Sequence, residues 1–396
     1  MTRFAFVTWD GGGNLGPAVG IARELIARGN EVRFVGYDAQ RQGIETRGLD
    51  FSRLARSGSF DLYGDLPPEQ RLAAITRNVW ACPEHLLDLP DALAEWPADV
   101  LVVDFSMQGA LAHAGQTAMP VAVLAHSTVA GLVPPPQSPV GAARLDATNQ
   151  LREAAGLPLL GRLNDAWDGL LTLVTTIPEL DPAAAGAAAS VRYVGPIVES
   201  FPEEAWDSPW RTDDERPLVL VSFSTTRLWD QTSRIRNTLA ALSDEPVRVL
   251  VSSTEAATLS PLPANATARR FVPHTLVLPA AAATVSHCGH GTVTASLAHG
   301  VPIVGLPNPA ADQPFLALRI QELGAGLALD GDSDAESIRS AVRQVLSQAS
   351  YRDAARRLGE EIRATPGADG AAFELEQLAR RIRPRLKAPM GGAANG

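Results

Sequence analysis

The chain has 396 residues, of which 45% are hydrophobic and 20% are charged, and its formal net charge is -10. These values are typical of a globular protein with two or three domains. The acidic balance argues against a nucleic-acid partner, and no apolar run approaches the ~18 residues of a membrane span. With two cysteines, Cys82 and Cys288, and no signal-peptide cleavage site before the first strand-like run, we expect a cytoplasmic protein without a disulfide framework.

The beginning of the chain reads as a strand, a glycine-rich loop, a helix at 17–28 and a second strand. The spacing Gly11-x-Gly13-x-x-Gly16, with Asp38 about twenty residues later, is that of a dinucleotide-binding loop. A nicotinamide-dependent oxidoreductase that uses these four residues is therefore one function that the sequence allows.

Three polar residues follow buried strands in the first half of the chain. Asp10, Asp104 and His126 each come directly after a predicted strand. Parallel strands end at one edge of a sheet, and open α/β sheets bind their ligands at that edge. The sequence therefore predicts that these three side chains face one cleft.

The middle of the chain contains features of a cavity and of a domain boundary. Residues 52–95 combine charges with scattered aromatic side chains that could cover a cavity, although core packing is the commoner role. A helix is predicted at 163–171 and a strand at 173–177. The proline-rich and acidic stretch at 198–216 predicts an interdomain linker, and a new strand follows at 217–223.

Two polar runs in the second half have both a structural and a functional interpretation. Ser224 and Thr225 follow a strand, where hydroxyls either cap a helix or contact a phosphate. The acidic run at 330–334 looks like a calcium loop, but Ala335 stands where such a loop needs glycine. The acidic run is therefore predicted to cap a helix.

The stretch at 282–313 is the most informative part of the chain. It reads as a strand, a turn with two glycines, a helix at 292–299 that Gly300 ends, a second strand, and a polar loop with Asp312 and Gln313. Backbone N–H groups at the start of the helix would accept an anion. The polar loop leaves the same sheet edge, so one ligand with an anionic group and hydroxyls would fit both.

This stretch resembles the donor-sugar motif of GT-B glycosyltransferases, most of all the macrolide-type natural-product glycosyltransferases of actinobacteria. The resemblance is carried by residues 287–292, residues 298–302 and the pair Asp312-Gln313, and the segment 28–32 is similar to a further motif of that family. It implies an α/β fold of two facing Rossmann-like domains with a deep cleft. The implied parts are an acceptor-binding domain at 1–197, a linker at 198–216, a nucleotide-sugar-binding domain at 217–367, a helix at 368–385 that packs back on the first domain, and a disordered tail at 386–396.

The resemblance also implies the residues of the site. Donor contacts at the diphosphate, the sugar hydroxyls, the nucleobase and the adjoining phosphate are implied for His287, Gly289, His290, Gly291, Thr292, Asp312, Gln313, Phe271, Val272, Ser224 and Thr225. Acceptor contacts are implied for Gly12, Gly13, Trp80 and Phe105. The chain departs from the family at Ala295, where many relatives carry a glutamate that accepts the ribose hydroxyls.

A second departure concerns the catalytic base. Asn14 stands where the family has histidine or aspartate, and an amide does not accept a proton at neutral pH. Asp104 matches the partner carboxylate of the family's His-Asp dyad. The base is then Asp104 alone, or His126 or Asp10 at the same sheet edge, or the acceptor is a phenol acidic enough to need little help.

Together with these residues, the resemblance implies an inverting, metal-independent hexosyltransferase that moves a sugar from a UDP- or TDP-activated donor to a small hydrophobic natural product, phenolic or of the macrolide and polyketide type. The nucleotide sugar is a co-substrate, and no cofactor is expected. The expected partners are the donor and the acceptor, without nucleic acid or membrane, and the expected assembly is a monomer or homodimer. Besides the oxidoreductase, one alternative remains: a catalytically silent binding partner of a glycosyltransferase.

Overall fold

The computed structural model describes residues 1–61, 64, 66–197, 208–223, 231–309 and 312–382. Ser224 and Thr225, the first part of the predicted linker and the predicted tail at 386–396 lie outside these residues. The described residues form two parallel β-sheets with packed cores on their faces. The predicted α/β class is therefore confirmed.

The first sheet contains, within the described residues, seven parallel strands: β1 (Arg3–Val7), β2 (Glu31–Gly36), β3 (Asp50–Arg53), β4 (Val100–Asp104), β5 (Val121–Ala125), β6 (Leu171–Val174) and β7 (Val191–Tyr193). Their spatial order is β3-β2-β1-β4-β5-β6-β7. Successive side chains alternate between two buried clusters, with Ala5 and Val7 on one face of β1 and Phe4 and Phe6 on the other. Burial on both faces explains why the central strands are continuous apolar runs.

The second sheet contains six parallel strands in the described part of the chain: β8 (Leu218–Ser222), β9 (Arg248–Ser252), β10 (Ala266–Arg269), β11 (Ala281–Ser286), β12 (Ile303–Gly305) and β13 (Gly326–Ala328). Their order is β10-β9-β8-β11-β12-β13. Strand β11 lies between β8 and β12, and its partners include Ser222 and Gly305 at Ser286. The turn after β11 therefore leaves the middle of the sheet.

The helices of the first half are α1 (Leu15–Ala27), α2 (Asp38–Glu45), α3 (Pro68–Ile75), α4 (His85–Glu95), α5 (Gln108–Ala114), α6 (Val129–Leu132) and α7 (Pro139–Ala154). The helices of the second half are α8 (Thr232–Leu242), α9 (His274–Val277), α10 (His290–Ala298), α11 (Gln313–Glu322), α12 (Ala335–Ser347), α13 (Ala349–Ala364) and α14 (Gly367–Ile382). None of the helices in the described ranges is long and apolar enough to cross a bilayer.

Three sequence-based boundaries need correction. Helix α10 begins at His290 and not at residue 292, because Gly289 in an extended conformation serves as its N-cap. The predicted helix at 163–171 is a short 3₁₀ turn at Leu163–Trp167, since Gly169 has a φ of 79° and ends it. Strand β6 then begins two residues earlier than predicted.

Helix α14 covers the core of the first half. Ala371, Ala372 and Leu375 are fully buried in the cluster that contains Phe4 and Phe6. The small alanine side chains let α14 approach α1 closely. The last described helix of the chain therefore packs on the first sheet.

The two halves meet at the carboxyl ends of their strands. Leu180 packs with Leu316 and Ile320 of α11, and Arg319 Nη2 donates a 2.8 Å hydrogen bond to the carbonyl oxygen of Glu179. The edge at which each sheet would bind a ligand therefore faces the other half.

Candidate active site

A strained turn joins β11 to α10. Cys288 has a φ of 58°, which is unfavourable for a residue other than glycine, and its thiol packs against Gly305. The turn brings Gly289 to the N-cap of α10, with exposed Gly291 and half-buried Thr292 in the first helical turn. The first N–H groups of a helix have no intrahelical acceptors, so the start of α10 is suited to an anion.

Two neutral imidazoles flank this helix start. His287 is buried, and its ring lies so close to Gly289 that a Cβ on that glycine would be 2.4 Å from Nε2. Burial lowers the pKa of His287 to about 4. Burial, together with the nearby His126, lowers the pKa of His290 to about 3. Both rings are uncharged at neutral pH, and a neutral imidazole carries one N–H group that can donate to an anion.

The polar loop after β12 begins α11. Asp312 is its N-cap residue and Gln313 its first residue. Asp312 Oδ2 accepts a 2.5 Å hydrogen bond from Ser127 Oγ. Burial raises the pKa of Asp312, and the hydrogen bond from Ser127 opposes that rise. Gln313 Oε1 accepts hydrogen bonds from N and Nδ2 of Asn308 at 3.1 and 2.9 Å, so these contacts use none of its N–H donors.

Two residues that the sequence did not indicate, Arg234 and Asn308, support this loop. Arg234 on α8 donates a hydrogen bond to Asn308 Oδ1 and, through Nε, a 2.6 Å hydrogen bond to the carbonyl oxygen of Gly331. Burial is the main cause of the low pKa of His287, and the positive charge of Arg234 is a further cause. A guanidinium is therefore close to the proposed phosphate site. A single arginine in an amphipathic helix gives no sequence signal of this role.

Asp104 is enclosed by hydrogen bonds from the first glycine loop and its own turn. Asn14 Nδ2 donates to Asp104 Oδ2 at 2.9 Å and to the carbonyl oxygen of Trp9 at 2.8 Å. Ser106 donates to Asp104 Oδ1 through its backbone N at 3.0 Å and its Oγ at 2.5 Å. Asn14 therefore acts as a donor that orients Asp104, in place of the family's proton acceptor.

His126 lies beside Asp104. Its Nδ1 is 3.8 Å from Asp104 Oδ2, and its side chain is 17% exposed against 1% for Asp104. This Nδ1 is buried and has no hydrogen-bond partner among the described residues. His126 is also close enough to affect the pKa values of His290 and Asp312. His126 is therefore near both Asp104 and residues of the second half.

In the glycine-rich loop after β1, side chains of the loop accept hydrogen bonds from its backbone N–H groups. Asp10 Oδ1 accepts a 2.9 Å hydrogen bond from Gly12 N, and Asn14 Oδ1 accepts one from Gly11 N at 2.8 Å. Gly12 has a φ of 92°, which requires glycine, and Gly13 is exposed. The loop therefore places Gly12 and Gly13 at the surface with Asp10 held in the turn.

This arrangement is unfavourable for a dinucleotide. The N–H groups of Gly11 and Gly12 are occupied, and Asp38 forms ion pairs with Arg41 at 3.3 Å and Arg53 at 3.1 Å. A nicotinamide site would need these groups for pyrophosphate and ribose.

The two predicted aromatic acceptor residues lie in a buried row of rings. The ring centroid of Phe105 is 5.6 Å from that of Trp80, 5.5 Å from that of His126 and 6.1 Å from that of Trp167. Trp80 and Phe105 are both buried. Arg144 covers Trp80, with its Cζ 4.1 Å from the ring centroid. Arg144 is thus a further residue that sequence reasoning did not find.

The predicted nucleobase segment has one exposed and one buried residue. Phe271 is 47% exposed, whereas Val272 is buried and its N–H donates to Ser252 Oγ at 3.3 Å. Ala295 lies in an apolar cluster with Val272 and Leu278. A glutamate at 295 would therefore have apolar neighbours in this chain.

The acidic run at 330–334 caps a helix, as predicted. Asp334 Oδ1 accepts a 2.9 Å hydrogen bond from Ser337 N at the start of α12. Within the described ranges, no group of three or more His, Cys, Asp and Glu side chains is arranged to hold a metal ion.

Two facing α/β halves that meet around a helix start define the GT-B class of glycosyltransferases, and solved structures of that class share this fold. The calicheamicin glycosyltransferase CalG4 matches with a TM-score of 0.77 and 24% identity, over 97% of this chain and 100% of that chain. The spinosyn rhamnosyltransferase SpnG complexed with thymidine diphosphate matches with a TM-score of 0.73 and 20% identity, over 95% and 100%.

Sequence comparison identifies the family. Residues 233–378 match the erythromycin biosynthesis protein CIII-like C-terminal domain. The 4′-demethylrebeccamycin synthase of Lentzea aerocolonigenes is 30% identical, over 95% of this chain and 99% of its own length. The chain belongs to the nucleotide-sugar-dependent glycosyltransferases of antibiotic and natural-product biosynthesis. It is a sugar-transferring enzyme, and the oxidoreductase hypothesis is therefore wrong.

Proposed function

We propose that this enzyme is an inverting, metal-independent glycosyltransferase that moves a sugar from a TDP- or UDP-activated donor to a small hydrophobic natural product. The observation that carries the proposal is the 2.5 Å hydrogen bond from Ser127 to Asp312. This hydrogen bond joins the end of β5, where His126 lies, to the loop that carries Asp312. The thymidine diphosphate bound by one relative in the same fold supports a TDP-linked donor.

The second half of the chain supplies hydrogen-bond donors for the leaving diphosphate. The N–H groups at the start of α10 and the neutral His287 ring lie where negative charge would develop. Arg234 adds a positive charge nearby. These groups would perform the role that a divalent cation has in other sugar transferases, which supports a reaction without metal.

His126 is the proposed base. Asp104 is fully enclosed by its own hydrogen bonds, so it cannot reach an acceptor hydroxyl, whereas His126 is partly exposed. With Nδ1 toward Asp104, Nε2 of His126 accepts the proton of the acceptor hydroxyl. The acceptor oxygen then bonds to the anomeric carbon as the bond from that carbon to the diphosphate oxygen breaks. Attack from the face opposite the diphosphate inverts the anomeric centre.

The test uses TDP- and UDP-sugars with a phenolic and a macrolide acceptor, in buffer with and without EDTA. We expect the purified chain to form glycoside at the same rate in both buffers, with an inverted anomeric centre by NMR. His126→Ala should lower kcat by roughly 10²- to 10⁴-fold, the usual contribution of a general base. Asp104→Asn should lower it less, through loss of orientation.

Asp10→Asn is the matched control, because Asp10 lies at the same edge but is held by its own loop. We expect its kcat to stay within about threefold of wild type. An undiminished rate in His126→Ala would refute the proposed base. Failure of the pure chain to turn over any of these donors, even by hydrolysis, would refute the proposed donor class.

A further inference from the structure

A guanidinium on α7 has no anionic partner in the part of the chain that the structure describes. Arg144 lies 4.1 Å from the centroid of the Trp80 ring, and its Nε is buried without a hydrogen-bond partner. The residue as a whole keeps some exposure. Burial lowers the pKa of Arg144 to about 10, as expected for a charge removed from water without a counter-charge. Such a charge is costly unless a ligand pairs with it.

Two polar groups near Arg144 are also unpaired among the described residues. Trp80 Nε1 is buried without an acceptor, and so is the hydroxyl of Thr148. Thr148 is fully buried and comes one helical turn after Arg144, so both lie on the same face of α7. Folded proteins rarely bury polar groups without partners. A ligand that carries a hydrogen-bond acceptor would give these groups a partner.

The row of aromatic rings connects Arg144 to the proposed base. Arg144 contacts Trp80, Trp80 contacts Phe105 with centroids 5.6 Å apart, and Phe105 contacts His126 with centroids 5.5 Å apart. An elongated apolar acceptor with its hydroxyl at His126 would therefore reach toward the guanidinium with its far end.

We propose that Arg144 binds a carboxylate at the end of the acceptor that is remote from the glycosylated hydroxyl. The inference rests on the proposed function, which places that hydroxyl at His126. Arginine matches a carboxylate with two parallel N–H donors. The aromatic neighbours favour an apolar body, so the acceptor class is an aromatic hydroxy acid rather than a neutral natural product.

The test measures binding without any donor, by isothermal titration calorimetry. The probes are para-coumarate, which carries a phenol and a carboxylate at opposite ends of a planar body, and its neutral methyl ester. We expect wild type to bind the acid at least about tenfold more tightly than the ester, the usual worth of a charged hydrogen bond. Arg144→Met should abolish that preference, and Arg144→Lys should keep part of it.

Arg152→Met is the control, because Arg152 lies on the same helix and donates to the carbonyl oxygen of Pro158. We expect it to keep the preference for the acid. Equal binding of acid and ester by wild type, no binding of the acid, or a preference that survives in Arg144→Met would overturn the inference. A preference for the acid that depends on Arg144, in a protein that transfers no sugar, would support this subsite and refute the proposed function alone.

Discussion

At the scale of single residues, the pKa of the buried Asp312 carboxylate is set by two opposing effects. Burial raises its pKa, and the hydroxyl of Ser127 lowers it again by donating a hydrogen bond to Oδ2. The ionised form accepts two or more hydroxyl protons, whereas the protonated form is a poorer acceptor. Ser127 should therefore influence donor binding from the opposite half of the molecule.

The variant Ser127→Ala tests this role. Loss of the hydrogen bond raises the pKa of Asp312 further, so the carboxylate becomes protonated at a higher pH than in wild type. On acidification, affinity for TDP-glucose should therefore fall earlier in the variant. At a pH high enough for Asp312 to be ionised in both proteins, we expect a loss of roughly threefold to tenfold, the worth of one hydrogen bond. Calorimetric titration across the pH range measures both effects.

Plain TDP is the control ligand for Ser127→Ala, because Asp312 is assigned to the sugar and not to the diphosphate. Its affinity should be the same in wild type and variant. If TDP-glucose and TDP lose affinity equally, the assignment of Asp312 to the sugar is incorrect.

At the scale of secondary-structure elements, the turn between β11 and α10 depends on the absence of a side chain at Gly289. A Cβ there would meet His287 Nε2 at 2.4 Å, a separation that real Cβ atoms do not adopt. The backbone of Gly289 is extended, so alanine is allowed by its dihedral angles. The glycine is therefore required by the imidazole beside it rather than by its own conformation.

Gly289→Ala should displace the His287 ring from the start of α10 while the fold is kept. We expect TDP to bind at least about tenfold more weakly, because a phosphate loses one donor and the approach to the helix start is changed. Gly16→Ala is the matched control, since Gly16 lies at the start of α1 and a Cβ there meets nothing within 4 Å. Calorimetric titration with TDP measures the affinity of both variants. Equal affinities of Gly289→Ala and Gly16→Ala for TDP would contradict this account.

At the scale of the whole molecule, several histidines are folded in their neutral form. His85 is fully buried beside the hydroxyl of Tyr37, with Nε2 2.8 Å from that oxygen, and burial lowers its pKa to about 4. His287 and His290 are lowered to about 4 and about 3. In the unfolded chain each would titrate near its ordinary pKa of about 6.5.

Acidification should therefore destabilise the fold. Between about pH 6.5 and pH 4 the unfolded chain binds more protons than the native protein, so the free energy of unfolding falls as pH falls, by up to about 1.4 kcal/mol per pH unit for each such histidine. We expect a lower melting temperature at about pH 5 than at about pH 7.5. In His85→Gln the difference between the two pH values should be smaller; an unchanged difference would show that His85 is not held neutral.

Much of the fold could be predicted from the sequence, because its signals are local. Apolar runs of strand length gave the central strands, and Gly300 at a φ of 68° ends α10 where the glycine predicted. Boundaries failed where a conformation depends on neighbours, as at Gly289 and Gly169. The order of the motifs along the chain was enough to indicate the family, which the comparisons confirm.

The site was harder to predict from the sequence, because the residues that interact in it are far apart along the chain. Ser127 and Asp312 are 185 residues apart and meet only when the two sheets face each other. Asn14 could be recognised as a departure from the family pattern, but its use as a donor to Asp104 depends on a contact across two strands. The roles of the predicted donor and acceptor residues stay predictions.

The sequence by itself determined the class of fold, the position of the helix start that is suited to an anion, and the family. Each of these depends on spacing within a few residues, since hydrogen bonding and glycine geometry act locally. Only the tertiary structure decided that His126 lies 3.8 Å from Asp104, and that Arg144 covers Trp80 without a counter-charge among the described residues. Burial and charge pairing are properties of the packed chain, and no local pattern of residues encodes them.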